Sequence, residues 1–164
     1  EEVDKPITEA QKNLVTNAYH VLSNLKTVPG IDELGNFNSD IFNSWIDYFE
    51  ESTKKSGHYK VAMIKLGEIL VYSPEDTSGL YINKEIARYL NKKGYEDLRH
   101  GYDIGTYNSR GAHFVDYKEE IKLAELFNKR AENIENESFF RFAITLRNIA
   151  KHYFREAERI KEDY

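Results

Sequence analysis

The sequence predicts an all-α fold: a single-domain bundle of about six or seven helices that ends in a long antiparallel helical hairpin. Two observations lead to this class. Apolar residues recur at intervals of three and four along most of the chain, which is the period of an amphipathic helix. Segments rich in Gly, Pro, Asn and Ser interrupt these runs at several places and are typical of loops.

Composition limits the other possibilities. The chain has 164 residues, 40% of them hydrophobic, and we expect one domain over residues 1–164. It begins at Glu1 rather than Met, which is consistent with a fragment of a longer protein or a processed chain. It contains no Cys, which excludes disulfides, Cys-based zinc sites and a Cys nucleophile. With 12 Tyr and 9 Phe, we expect a core edged by hydroxyl groups that need partners.

Charge and motif content exclude several classes of function. The net charge of −5 argues against non-specific nucleic-acid binding over the whole surface. The sequence has no apolar run long enough for a bilayer and no signal-like N-terminus, so we expect a cytoplasmic protein without membrane contact. No Walker loop or dinucleotide fingerprint is present, and no cofactor is expected. No metal site is expected either, since the histidines lack ligand spacing. They are His20, His58, His100, His113 and His152.

Two helices are predicted in the first third of the chain. The first begins at Thr8, a plausible N-cap, and ends before Pro29. The second begins at Ser39 or Asp40 and ends near Ser56. Its predicted apolar face consists of Ile41, Phe42, Trp45, Ile46 and Phe49.

Two further helices follow. Residues 59–72 form a third helix with a broad apolar face, and Gly67 within it indicates close packing against a neighbour. A fourth helix is predicted from Leu80 to the basic stop signal that ends at Gly94. After a short helix over residues 96–102, the segment 101–116 reads as an irregular polar loop.

The C-terminal hairpin has the strongest pattern. Residues 118–164 form two long amphipathic helices joined by a turn at residues 133–138. The second helix carries an apolar stripe over about six turns, which we interpret as a core face. Helices joined by so short a turn pack antiparallel.

The loop at residues 101–116 is one candidate site. Arg110 and the backbone N–H groups near Gly111 are suited to binding an anion. The same polar residues are equally suited to pinning the loop to the bundle, with Asn108 and Ser109 capping a turn, and we favour this structural role. The candidate binding residues are Asn108, Arg110, His113 and Asp116.

The last helix carries the second candidate, Arg147-Asn148-Ile149-Ala150-Lys151-His152. At 3.6 residues per turn, Arg147 and His152 lie off the core and flank the polar face that holds Asn148 and Lys151. This motif resembles the signature of the HEPN ribonuclease superfamily. In that family the Arg and His act on the RNA 2′-hydroxyl and the scissile phosphate, usually in a cleft between two subunits. The resemblance implies a metal-independent endoribonuclease with Arg147 and His152 as catalytic residues.

A second resemblance covers about residues 40–164. The segments Gly79-Leu80-Tyr81-Ile82, Asn108-Ser109-Arg110-Gly111 and Tyr153-Phe154-Arg155-Glu156 belong to it, together with Leu146-Arg147-Asn148-Ile149-Ala150. They resemble an uncharacterised helical module of bacterial proteins that occurs within longer chains. Arg147 and Tyr153 belong to that pattern, and His152 is not a fixed part of it.

We therefore expect a non-enzymatic interaction or regulatory module of a bacterial intracellular protein. Its partner would be another protein or a second copy in a homo-oligomer, bound through helix faces and the loop at residues 101–116. The alternative is the HEPN-like endoribonuclease, and only then would RNA be the partner. A large exposed apolar patch would favour the first hypothesis. A basic groove that holds both Arg147 and His152 would favour the second.

Overall fold

The computed structural model describes residues 8–9, 24–111 and 116–162. The predicted first helix lies largely outside these ranges. Within them the elements are α1 (Ser39–Lys55), α2 (Tyr59–Leu70), α3 (Lys84–Leu90), α4 (Glu96–Asn108), α5 (Tyr117–Asn136) and α6 (Phe140–Glu162). The only β-type pairing among the described residues is a single bridge between Ile31 and Phe37. The all-α prediction is confirmed.

Local sequence explains where α1 begins. The Asn38 side chain accepts hydrogen bonds from the backbone N–H groups of Asp40 (2.9 Å) and Ile41 (3.1 Å), so it is the N-cap of this helix. Farther along α1, the Glu50 carboxylate accepts hydrogen bonds from the hydroxyls of Tyr89 (2.8 Å) and Tyr95 (2.6 Å). These bonds join α1 to α3 and to Tyr95, the N-cap residue of α4, and they provide the hydroxyl partners that a tyrosine-rich core requires.

The backbones of α2 and α4 touch where they cross. A Cβ added at Gly101 would lie 1.9 Å from the carbonyl oxygen of Ile64, and one added at Gly67 would lie 2.1 Å from the carbonyl oxygen of Leu98. At Gly105 the added atom would again meet the α2 backbone, at 2.7 Å. Glycine is therefore required at all three positions. The close packing predicted for Gly67 is confirmed.

The prediction of an irregular loop from Gly101 is wrong for residues 101–108, which belong to α4. The sequence suggested a helix over residues 96–102 and an irregular segment from Gly101 onward, but α4 continues to Asn108. Two of the three glycines that read as loop signals, Gly101 and Gly105, are helical residues in the contact with α2, and only Gly111 lies beyond the helix. The predicted fourth helix corresponds to α3, which is shorter than expected because it begins at Lys84 rather than Leu80. Leu80 and Ile82 lie in the loop before α3, and both are buried.

Helices α5 and α6 form the predicted hairpin and pack against each other along their length. The buried side chains at this contact include Phe127 and Ile134 from α5 and Leu146 and Tyr153 from α6. Ser138, at a φ of 65°, makes the turn between them. In the described part of the chain, no helix combines the length and the apolar character needed to cross a membrane.

The glycine contact leads to a stability prediction. Gly101→Ala places a methyl group on the Ile64 carbonyl, and we expect it to lower the free energy of unfolding by about 3 kcal/mol. Gly94→Ala is the control, because Gly94 has open space around it and a φ of +83°, so only backbone strain of about 1–2 kcal/mol is expected. Urea unfolding measures both. Equal losses for the two variants would contradict the close contact.

Candidate functional site

Arg110 is engaged in a buried ion pair. Its guanidinium donates two hydrogen bonds to the Glu120 carboxylate, at 3.0 Å and 2.7 Å, and the Glu120 side chain is only 1% exposed. The guanidinium also lies 5.2 Å from the centroid of the Tyr153 ring. Arg110 thus ties the end of α4 to α5 and α6. This geometry supports the structural interpretation of the polar segment rather than anion capture by Arg110.

The other residues of that candidate site have separate positions. Asp116 is the N-cap of α5, and its carboxylate accepts a hydrogen bond from the backbone N–H of Lys118 at 3.0 Å. Asn108 is the exposed last residue of α4 and borders, with Arg110, a cavity of about 460 Å³. His113 lies outside the described residues. The structure therefore brings Asn108 and Arg110 to one cavity and gives Asp116 a capping role.

Arg147 and His152 lie off the core and flank the polar face of α6, as predicted, but they face different neighbours. Arg147 donates to both carboxylate oxygens of Glu135 on α5, through Nη1 at 3.1 Å and through Nη2. The His152 ring lies 6.0 Å, centroid to centroid, from the Tyr107 ring on α4. Within one chain the two side chains therefore do not share a groove.

A groove between α4 and α6 encloses about 430 Å³, and Asn148, one turn before His152, lines it. Asp103, which lines the groove, has one buried carboxylate oxygen without a hydrogen-bond partner. Burial raises the pKa of the Asp103 carboxyl, and the positive charges of His152 and His100 act in the opposite direction. Among the described residues, no group of three His, Cys, Asp or Glu side chains is placed to hold a metal ion.

Helix α1 exposes an apolar face that the sequence analysis assigned to the core. Phe42 and Ile46 are buried as predicted, but Ile41 is 56% exposed, Trp45 37% and Tyr48 71%. We name these three exposed residues the α1 stripe. They are spaced at i, i+4 and i+7, so they lie together on one side of the helix. The prediction that Ile41 and Trp45 face the core is wrong, because the apolar arc of α1 is wider than the surface it packs against.

The α1 stripe has an ordered aromatic centre and an acidic border. The Trp45 ring stacks on the Phe49 ring, with centroids 4.9 Å apart and an interplanar angle of 17°. Asp40, Asp47 and Glu51 are exposed on the adjacent side of the helix. Only Glu51 among these three carboxylates has an ion pair with a described residue, Lys55. The surface therefore combines apolar and aromatic area with negative charge.

Comparison of the chain with protein-family models, curated proteins and solved structures finds no match. The resemblances to the HEPN superfamily and to a bacterial helical module stay predictions.

The two arginine ion pairs are predicted to contribute differently to stability, because one is buried and the other is partly exposed. Glu120→Gln removes the carboxylate from a buried pair, and we expect a loss of about 3 kcal/mol in the free energy of unfolding because the Arg110 charge is left without its partner. Glu135→Gln breaks a pair that is 36% and 40% exposed, and we expect a change below about 1 kcal/mol. Thermal or urea unfolding of both variants measures this. Similar losses would show that burial does not set the strength of these pairs.

Proposed function

We propose that this chain is a non-enzymatic interaction module that binds a partner protein through the α1 stripe. The observation that carries the proposal is the exposure of Ile41, Trp45 and Tyr48 on one side of α1. Clustered apolar residues on a surface are typical of interaction sites, and Trp and Tyr are enriched among the residues that dominate binding energy. The bacterial origin and cytoplasmic location expected from the sequence stay predictions.

The rigidity of the stripe supports the same proposal. Trp45 is held by its stacking on Phe49, so little side-chain entropy is lost when a partner covers it. The stripe lies on a regular helix that is anchored through Glu50 to Tyr89 and Tyr95. A partner would therefore meet a preformed surface.

The negative charge of Asp40 and Asp47, next to the α1 stripe, indicates which charge the partner carries. Asp40 and Asp47 have no ion pair with a described residue, and a second copy of the chain would bring like charges to the same contact. The net charge of −5 also disfavours an anionic surface as the partner. We therefore infer a protein segment with an apolar face bordered by Lys or Arg, in the manner of a basic amphipathic helix.

Trp45 provides the direct test, because it is the single Trp of the chain. A helical peptide built from Leu and Lys is expected to shift the Trp45 emission to shorter wavelength on binding, since the ring becomes buried. A Leu and Glu peptide with the same apolar face is expected to bind at least about tenfold more weakly. Tyr48→Ala is expected to weaken binding of the basic peptide by about tenfold, which corresponds to the loss of one contact residue.

Phe140→Ala is the matched control, because Phe140 is an exposed aromatic residue (56%) on α6 rather than α1. It is expected to leave the peptide affinity unchanged. An unchanged Trp45 emission with the basic peptide, or equal binding of both peptides, would refute the proposed partner chemistry. A Trp45 emission that depends instead on protein concentration would identify a second copy as the occupant.

The metal-independent endoribonuclease is the second candidate function. One observation favours it: Asp103 has a buried carboxylate oxygen without a hydrogen-bond partner, and while burial raises the pKa of that carboxyl the His152 charge acts to lower it, so the two groups are suited to acid–base chemistry. The ion pair between Arg147 and Glu135 argues against this function, because the guanidinium that would act on the phosphate is already bound to a carboxylate. Catalysis by both residues would require Arg147 to leave Glu135 and meet a second subunit.

RNA cleavage in the presence of EDTA tests this alternative. A ribonuclease of this kind is expected to lose its activity in Arg147→Ala and in His152→Ala. Glu135→Gln releases Arg147 and is expected to preserve or increase cleavage. Absence of cleavage by the wild-type protein across varied RNAs, or loss of activity in Glu135→Gln with the fold intact by circular dichroism, would contradict the catalytic role of Arg147.

A further inference from the structure

A cavity of about 420 Å³ lies between α4, α5, α6 and the loop that follows α2. It is separate from the α1 stripe, and it lies on a different side of α6 from the Arg147 contact. We name it the Arg130 cavity. Its walls combine aromatic, aliphatic and charged groups, and one carboxylate, that of the exposed Glu75, is among them. The residues that the argument uses are Tyr81, Tyr102, Leu126, Phe127, Arg130 and Tyr153. A volume of this size is in the range of small-molecule sites in proteins.

Arg130 is held in place by rings rather than by a carboxylate. Its guanidinium carbon lies 4.3 Å from the centroid of the Tyr81 ring and 5.1 Å from that of Phe127. Its Nε atom is buried without a hydrogen-bond partner. The other buried or half-buried arginines that the structure describes all have a carboxylate partner; they are Arg99, Arg110 and Arg147. Arg130 has none among the described residues.

Tyr153 is a second buried donor without an acceptor. The residue is 1% exposed, and its hydroxyl proton has no acceptor, although the Arg110 guanidinium lies close to the same hydroxyl. Burial raises the pKa of this hydroxyl, so it stays protonated at neutral pH and is able to donate. By contrast, the hydroxyls of Tyr81 and Tyr102 lie 3.4 Å apart and hydrogen-bond to each other. The cavity walls thus contain two donors that lack an acceptor.

We propose that the Arg130 cavity binds a small organic anion, a carboxylate or phosphate ester with an apolar or aromatic body. Arg130 would pair with the anionic group, because a planar guanidinium matches the oxygens of a carboxylate or phosphate. The Tyr153 hydroxyl would donate to a separate acceptor on the ligand, because the charged groups that act on it are Arg110, Glu120 and Asp103 rather than Arg130. Leu126, Phe127 and the tyrosine rings would cover the apolar body. The chain would then respond to a small molecule as well as to a partner protein.

Calorimetric titration with benzoate and with phenyl phosphate tests the proposal and distinguishes the two anionic groups. Benzamide and benzyl alcohol are the neutral counterparts of similar size. We expect at least one anion to bind in the millimolar range or tighter, and the neutral compounds to bind at least about tenfold more weakly. Arg130→Gln is expected to weaken anion binding at least about tenfold, and Tyr153→Phe by a smaller factor.

Arg155→Gln is the matched control, because Arg155 is an exposed arginine on α6 that has no ion pair with a described residue. It is expected to bind the anions as the wild type does. Absence of binding by both anions would overturn the proposal, as would equal binding of the neutral compounds or an equal effect of Arg130→Gln and Arg155→Gln. If Arg130→Gln does not fold, two other measurements decide the question. They are the comparison of anionic with neutral ligands in the wild-type protein, and the anion affinity of the Tyr153→Phe variant.

Discussion

The backbone contact between α2 and α4 is the constraint on which the rest of the structure depends. Gly67, Gly101 and Gly105 let the two helices touch without intervening side chains. The contact sets where α4 lies, and α4 in turn carries Asp103 to its groove, Tyr102 to the Arg130 cavity and Asn108 to the cavity it shares with Arg110. Its Tyr102 ring packs edge-on against Phe142 of α6, with centroids 5.1 Å apart. A larger residue at the crossing would displace the Asp103 groove and the Arg130 cavity together.

Ion pairing determines which arginines are available for function. Arg110 and Arg147 both stood out in the sequence, and both are paired with glutamates of α5. Arg130, which no motif marked, is the half-buried arginine without a carboxylate among the described residues. Anion recognition is therefore better placed at Arg130 than at either arginine that the sequence motifs indicated.

Local patterns predicted much of the fold. The start of α1 was predicted at Ser39 or Asp40, and the apolar period of residues 118–164 predicted the hairpin. The Asn38 cap, which the sequence analysis did not predict, explains the start at Ser39. The extent of α4 was missed, because glycines inside a helix look the same in sequence as glycines in a loop. Only the nearby α2 backbone distinguishes the two cases.

The sequence by itself determined the helical class and the hairpin, since both depend on interactions between residues three or four apart. The tertiary structure decided which side of each helix is free. It buried Phe42 and exposed its neighbours Ile41 and Trp45, because the core covers only part of the apolar arc of α1. It also paired Arg110 and Arg147 with carboxylates 10 and 12 residues away on another helix. Such partners depend on how helices pack, and helical periodicity carries no information about them.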